Sequence, residues 1–551
     1  MKIALAQLNY TIGAFDENAE LIIHFIKEAK RNRADLVVFS ELSVCGYPPL
    51  DLLEHKKFIN SCLSQTQKII LESDGIAVIL GVPTINEGSK GKNLFNSALF
   101  IAGGNVLHTI HKALLPTYDI FDEYRYFQPG DTFRVIEYKD KRIAVTICED
   151  LWYKQPILTD FAKNKLYTMN PMDKLTEQKC DLVINIAASP FAYNHDQIKT
   201  EILTYNARKY KVPVIYVNQV GAHTELIFDG ASRVINAQGN TILELPVFEE
   251  KLAFFDTEDP SMTVPVSSMS EEEKRISLIH DALVCGIRDY FGKMKFRNAV
   301  IGLSGGIDSA VTLVLAVEAL GAENVRVLLM PSQYSSDHSV KDAVQLAEKL
   351  AVQYDIIAIH EVFKQYLKKL KPVFRDLPHD IAEENIQARI RGTLLMAISN
   401  KFGNLLLNTS NKSEVAVGYG TLYGDMNGGI SVLGDVYKTD VYRLAAFINR
   451  NEEIIPMNTI DKPPSAELRP DQKDSDSLPD YDVLDKILFS YIERKNSEEE
   501  IVALGYNEAL VKKTIRLVNM NEYKRFQTPP ILRISSKAFG FGRRMPLVAR
   551  Y

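Results

Sequence analysis

The chain has 551 residues, 46% of them hydrophobic and 24% charged, with a formal net charge of -6 at pH 7. That length is too great for one hydrophobic core and predicts about two to four globular domains, while the acid excess argues against a general nucleic-acid or membrane-surface binder. No apolar run reaches the roughly 18 residues that a membrane-spanning helix needs.

From the amino terminus, apolar strands alternate with longer amphipathic segments. Met1–Gln7 has a strand pattern and lacks the long apolar region of a cleavable signal, which predicts a cytoplasmic protein. Strands are expected at Ile3–Leu8, Leu36–Phe39, Ile76–Val82, Ser97–Ile101, Ile143–Ile147, Leu182–Ala187 and Val214–Val217. Several are continuously apolar, as strands buried on both faces are. Helical patterns such as Asn18–Asn32 and Gln197–Lys211 fill the gaps, giving an α/β layered domain over 1–256. Residues 257–274 turn polar and rich in Pro, Ser and Glu, and read as a linker. A helix at Ser270–Tyr290 opens a second α/β domain over 275–551, with strands at Val325–Leu329 and Leu405–Asn408. Residues 462–482 carry four prolines among charges and read as a long functional loop. The five cysteines are widely spaced without Cys-x-x-Cys, a pattern of reduced thiols rather than of a disulfide or zinc framework.

Three reactive groups in the first half follow strand patterns. They are Glu41 after Leu36–Phe39, Lys112 after Thr109–His111, and Cys148 after Ile143–Ile147. Loops at strand carboxyl ends are where α/β folds build sites. A carboxylate that takes the thiol proton and an ammonium beside the developing oxyanion suit amide hydrolysis. A nearby ammonium also lowers a thiol pKa.

In the second half, Gly302 through Ser309 (Gly302, Leu303, Ser304, Gly305, Gly306, Ile307, Asp308, Ser309) lies between the apolar runs Ala299–Ile301 and Ala310–Ala316. Strand, glycine turn and helix aim backbone N–H groups and a helix N-terminus at an anion. The lysine of a P-loop is missing. Asp308 fits only if Mg²⁺ bridges it to the phosphates. The turn therefore reads as an ATP site that holds the pyrophosphate expelled when ATP donates AMP.

The contexts of these residues carry a resemblance. Phe39–Tyr47, His111–Pro116 and Thr146–Trp152 resemble the nitrilase, or carbon–nitrogen hydrolase, superfamily. That resemblance implies a four-layer α-β-β-α sandwich, with Glu41 as general base, Lys112 at the tetrahedral intermediate and Cys148 as thioester-forming nucleophile. Glu123 matches an additional carboxylate that holds the site. Leu303–Ser309 is similar to the pyrophosphatase motif of the ATP-pyrophosphatase ligases, which implies a Rossmann-like parallel sheet. Glu383–Gly392, Thr409–Glu414, Gly418–Asp425, Asp435–Thr439 and Ser535–Gly540 narrow the resemblance to the glutamine-dependent NAD synthetase family.

The resemblance implies that ATP adenylates deamido-NAD and that ammonia from glutamine displaces AMP. It places glutamine at Tyr118, Ser189 and His195, the last a position usually Lys or Arg in that family. It places ATP at the glycine turn with Thr409 and Lys438, Mg²⁺ at Asp308 and Glu414, and deamido-NAD at Asn385, Arg389, Glu414, Asp425 and Lys537. The expected partners are these small molecules, with neither nucleic acid nor membrane, and the expected assembly is a homo-oligomer. A guanylate synthetase would instead carry a Cys–His–Glu glutaminase, whereas this chain shows Glu–Lys–Cys.

Overall fold

The computed structural model describes residues 1–154, 166–259, 269–375, 377–465, 467–470, 472–476 and 478–549. Contacts divide the chain into two compact units, Met1–Ser268 and Met269–Tyr551.

The first unit is built on two six-stranded sheets. One runs in the order Lys251–Asp256, Lys2–Gln7, Leu36–Val38, Ala77–Ile85, Leu94–Ala102, Asn105–His111. The other runs Thr241–Glu244, Arg233–Ile235, Val214–Asn218, Leu182–Ala187, Lys141–Ile147, Val135–Tyr138. In the first sheet, alternate residues serve two cores. Ala4, Ala6, Val37, Val78 and Leu80 pack with Ile22, Ile26, Ile59, Cys62 and Ile69 of helices Phe15–Arg31 and Lys56–Leu71. Ile3, Leu5, Leu36, Val38, Ile79 and Phe100 share a core with the second sheet. Helices Pro171–Thr176 and His195–Tyr210 join that core through Met172, Leu175, Ile202, Leu203 and Ala207. The result is an α-β-β-α sandwich. The central strands match the pattern read from sequence. The added ones are mostly short or lie at the sheet edges, such as Asn105–His111, whose residues are half or fully exposed and carry no continuous apolar run.

The second unit holds a five-stranded parallel sheet in the order Gln353–Ile356, Val325–Leu329, Ala299–Gly302, Leu405–Asn408, Ile430–Ser431. The helix leading into it spans Glu271–Met294, so it starts inside the span read as linker. The reason is a capping box in which Ser270 and Glu273 bond each other's backbone N–H. Part of that linker span, 260–268, lies outside the described residues. The carboxyl ends of the three middle strands, at Gly302, Leu329 and Asn408, open onto one cavity, where an open parallel sheet binds ligands. Among the described residues, no helix is long and apolar enough to cross a membrane.

Candidate active sites

In the first unit the structure brings Glu41 and Lys112 into direct contact. The Lys112 ammonium lies 2.7 Å from Glu41 Oε1 and 2.8 Å from Glu123, and Glu41 and Lys112 have no exposed surface. Asn96, from the strand Leu94–Ala102, donates to Glu41 Oε1 at 2.6 Å and to Glu123 Oε2 at 3.5 Å. Tyr47 donates its hydroxyl to Glu123 at 2.9 Å, and the Ala188 N–H donates to Glu41 Oε2 at 3.0 Å. The turn after Glu41 fits because Gly81 faces it. A Cβ there would stand 2.3 Å from Ser40 O and 2.7 Å from Glu41 Cα.

Cys148 directly follows the strand Lys141–Ile147 in a left-handed conformation, φ +43°, and is 6% exposed. A non-glycine residue held there is strained, and such strain gathers at functional turns. Burial pushes the thiol well above its usual range. The Glu41 charge adds to this, and the Lys112 ammonium works against it without prevailing. The resting thiol is therefore protonated. Sequence reasoning expected the ammonium to lower it, and desolvation wins instead because the whole cluster is dry. Burial alone would lower the Lys112 ammonium, but Glu123 and Glu41 outweigh it and hold Lys112 well above its usual range.

Of the three expected glutamine contacts, Tyr118 donates its hydroxyl to both oxygens of Glu149, at 3.0 and 3.1 Å. Ser189 is fixed by Asn218, which accepts from its N–H at 2.8 Å and donates to its carbonyl at 3.2 Å. His195 is the first residue of the helix His195–Tyr210. Glu149, next to Cys148, was not singled out by sequence reasoning. It is buried and also accepts from Tyr167 at 2.7 Å, and burial pushes its carboxyl up to about 8. Asn96 was missed as well, because a single asparagine inside a strand carries no local signal.

In the second unit a cavity of about 860 Å³ is lined by Gly302, Leu303, Ser304, Gly306, Ile307, Asp308, Asn385, Thr409, Glu414, Asp425 and Lys438, among others. Gly305 and Ser309 shape the turn from beneath. Gly305 has φ +81°, and a Cβ there would meet Ser339 O at 2.1 Å. Ser309 Oγ donates to Gly306 O at 2.9 Å. The buried Lys438 ammonium reaches Asp308 Oδ2 at 2.5 Å and Glu414 Oε1 at 3.6 Å. Asn411 donates to Asp308 Oδ1 at 2.9 Å. Burial, then the Asp308 charge, pushes Glu414 up to about 8 against the pull of Lys438. Asn385 accepts from Thr421 Oγ1 at 2.7 Å and Asp425 accepts from Thr421 N at 2.6 Å, which joins two of the expected dinucleotide residues. Arg389 and Lys537 do not line this cavity. Arg389 is exposed and donates to Leu422 O at 3.2 Å, and the Lys537 carbonyl accepts from Lys412 at 3.1 Å. Asp474 lines the cavity too, fixed by Tyr481 at 2.9 Å, and the long loop that carries it offered no motif.

Comparison with known proteins agrees with both halves. Residues 2–258 match the carbon-nitrogen hydrolase family, and residues 279–528 match the NAD synthase family. The glutamine-dependent NAD(+) synthetase of Synechocystis sp. is 45% identical over 559 aligned positions, covering 100% of this chain and 99% of that protein. The enzyme of the same name from Acinetobacter baylyi is 43% identical, with 99% and 98% covered. The solved structure of glutamine-dependent NAD+ synthetase from Acinetobacter baumannii in complex with adenosine diphosphate superposes with a TM-score of 0.78 at 40% identity, over 99% of this chain and 98% of that one. With an amide-hydrolase site in one unit and a nucleotide cavity in the other, the chain belongs to the glutamine-dependent NAD(+) synthetases, a family of ligases.

Proposed function

We propose that the first unit hydrolyses glutamine and that the second consumes the ammonia to amidate deamido-NAD. The observation that carries this reading is the dry cluster in which one ammonium serves Glu41 and Glu123 close by a strained, protonated thiol. Glu41 takes the Cys148 proton as the sulfur attacks the side-chain amide carbon of glutamine. Lys112 faces the oxyanion of the tetrahedral intermediate. The amide nitrogen leaves as ammonia with the proton held by Glu41, and water then hydrolyses the thioester to glutamate. Tyr118, Ser189 and His195 hold the substrate. Glu149, a carboxylate beside Cys148, is positioned to accept its α-ammonium.

In the second unit the carboxylate of deamido-NAD attacks the α-phosphorus of ATP and pyrophosphate leaves. Ammonia then attacks the adenylated carbonyl, and AMP departs. The turn Gly302–Ser309, with Thr409 and Lys438, holds the phosphates. Asn385 and Asp425, which line the cavity, hold the dinucleotide. Asp308 and Glu414 are hard oxygen donors facing one cavity, a donor type that fits Mg²⁺, and they would hold it there. Bound there, Mg²⁺ would offset the repulsion between two polyanions. A homo-oligomer and a cytoplasmic location complete the reading. The test is incubation with deamido-NAD, ATP, Mg²⁺ and glutamine, assayed for NAD, AMP, pyrophosphate and glutamate. Release of ADP and phosphate in their place would overturn it.

A further inference from the structure

Lys112 and Cys148 come from different sheets, so something must set the distance between them. The main chain of Lys112 is still held by the strand environment: its N–H donates to Asn96 O at 2.8 Å, and its carbonyl accepts from Gly130 N at 2.8 Å. The next two residues leave the sheet, and their N–H groups need another acceptor. Both find the same atom. Ala113 N and Leu114 N each donate to Asp150 Oδ1 at 2.9 Å. The other oxygen, Oδ2, accepts from Ile147 N at 3.0 Å, one residue before Cys148. Asp150 itself sits in the tight turn Cys148–Leu151 and is 3% exposed.

We propose that Asp150 is a positioning residue for amide hydrolysis, its carboxylate fastening the chain that carries Lys112 to the turn that carries Cys148. This rests on the glutaminase reading above. Three features single the residue out. Three main-chain N–H groups donate to it, so the bonds fix backbone rather than side-chain tips. They converge from both sides of the reacting pair. They also brace a turn whose left-handed cysteine is held only by its surroundings. A carboxylate suits the task because it is acceptor-only, with lone pairs for all three donors.

Asp150→Asn tests the assignment. The amide is the same size but replaces one acceptor with an NH₂ group, so at least one N–H meets a donor instead of an acceptor. Misplacement on the scale of an ångström costs about 10²-fold in rate. The expected result is a fall of about that size in the kcat for glutamate release, with the glutamine KM little changed, because Asp150 is bonded to the backbone and not to the substrate subsite. Ammonia-driven NAD synthesis, measured in the same preparation, is expected to be unchanged and reports that the second unit is intact. Asp150→Glu provides a second reading. It keeps the charge and moves the carboxylate by one methylene, so positioning predicts a loss of kcat there too, whereas a purely electrostatic role predicts the wild-type value. An unchanged glutaminase kcat in either variant, or a rise in KM without a fall in kcat, overturns the assignment. Failure of the wild-type enzyme to release glutamate would instead overturn the glutaminase reading.

Discussion

Lys112→Met isolates what the buried ammonium does. Methionine keeps most of the side-chain volume and removes the charge, leaving Glu41 and Glu123 in a site where Lys112 bonded both at 2.7 and 2.8 Å. Removing one partner from a buried ion pair costs about 3–5 kcal/mol. For a unit of this size each kcal/mol moves the melting temperature by about 2–4 °C, so the first unit should melt roughly 6–20 °C lower. The deficit should depend on pH. Burial, reinforced by the Glu41 charge, already raises the Glu123 carboxyl against the pull of Lys112. Without the ammonium, one carboxyl takes up a proton more readily as pH falls and relieves the repulsion. The loss should thus be larger at mildly alkaline pH than at acid pH, and the double variant Lys112→Met/Glu123→Gln should recover much of it. Scanning calorimetry at two pH values on the wild type and both variants reads all of this. Glutamate release should fall by about 10²–10³ in kcat, the usual loss of an oxyanion partner. A deficit equal at both pH values, together with no recovery in the double variant, would refute the assigned electrostatics.

Four shorter expectations follow from the same geometry. Cys148→Ala should abolish glutamine-driven NAD synthesis and leave ammonia-driven synthesis largely intact, since the nucleotide cavity lies in the other unit; loss of both rates in a folded variant would break this separation. Asp308→Asn should damage synthesis with either nitrogen source, most at limiting Mg²⁺, and an unchanged rate there would remove Asp308 from the metal site. His195→Ala should raise the glutamine KM, and a constant KM would exclude that contact. His280 is bonded to Asp281 at 2.9 Å and Glu318 at 2.8 Å, and although burial works to lower its imidazole, those carboxylates raise it from 6.5 to about 9. Its contribution, about 1–2 kcal/mol after screening by the half-exposed carboxylates, is whole below its unfolded pKa and lost as pH climbs through about 9. His280→Gln should therefore flatten the second unit's melting temperature against pH over that window, which a set of thermal melts would show.

Residues with a local signature were legible in the sequence. Glu41 and Cys148 follow apolar strand runs, Lys112 opens the His111–Pro116 context, and Asp308 sits in a turn with two glycines, so order and context singled out all four as candidates. The central strands were legible for the same reason, since burial on both faces forces a continuous apolar run. Asn105–His111 was not, because an edge strand facing solvent is free of that constraint. The shell around the chemistry was equally silent. Asn96 touches both Glu41 and Glu123 because antiparallel pairing sets Ser97 opposite His111, a register that no local pattern encodes. The thiol's charge state also had to await the fold, since it depends on how much water the closed cluster excludes rather than on which residues surround it.

The left-handed backbone at Cys148 puts strain and reactivity at one position. Glycine would adopt that conformation without the penalty of about 1–2 kcal/mol that an L side chain bears there. Against that gain stand the cavity left by the buried thiol and glycine's freedom in the unfolded chain. A Cys148→Gly chain should thus be inert with little net change in heat resistance, and a screen for heat resistance alone would not protect the nucleophile. Engineering of this scaffold should score nitrogen transfer alongside robustness from the first round.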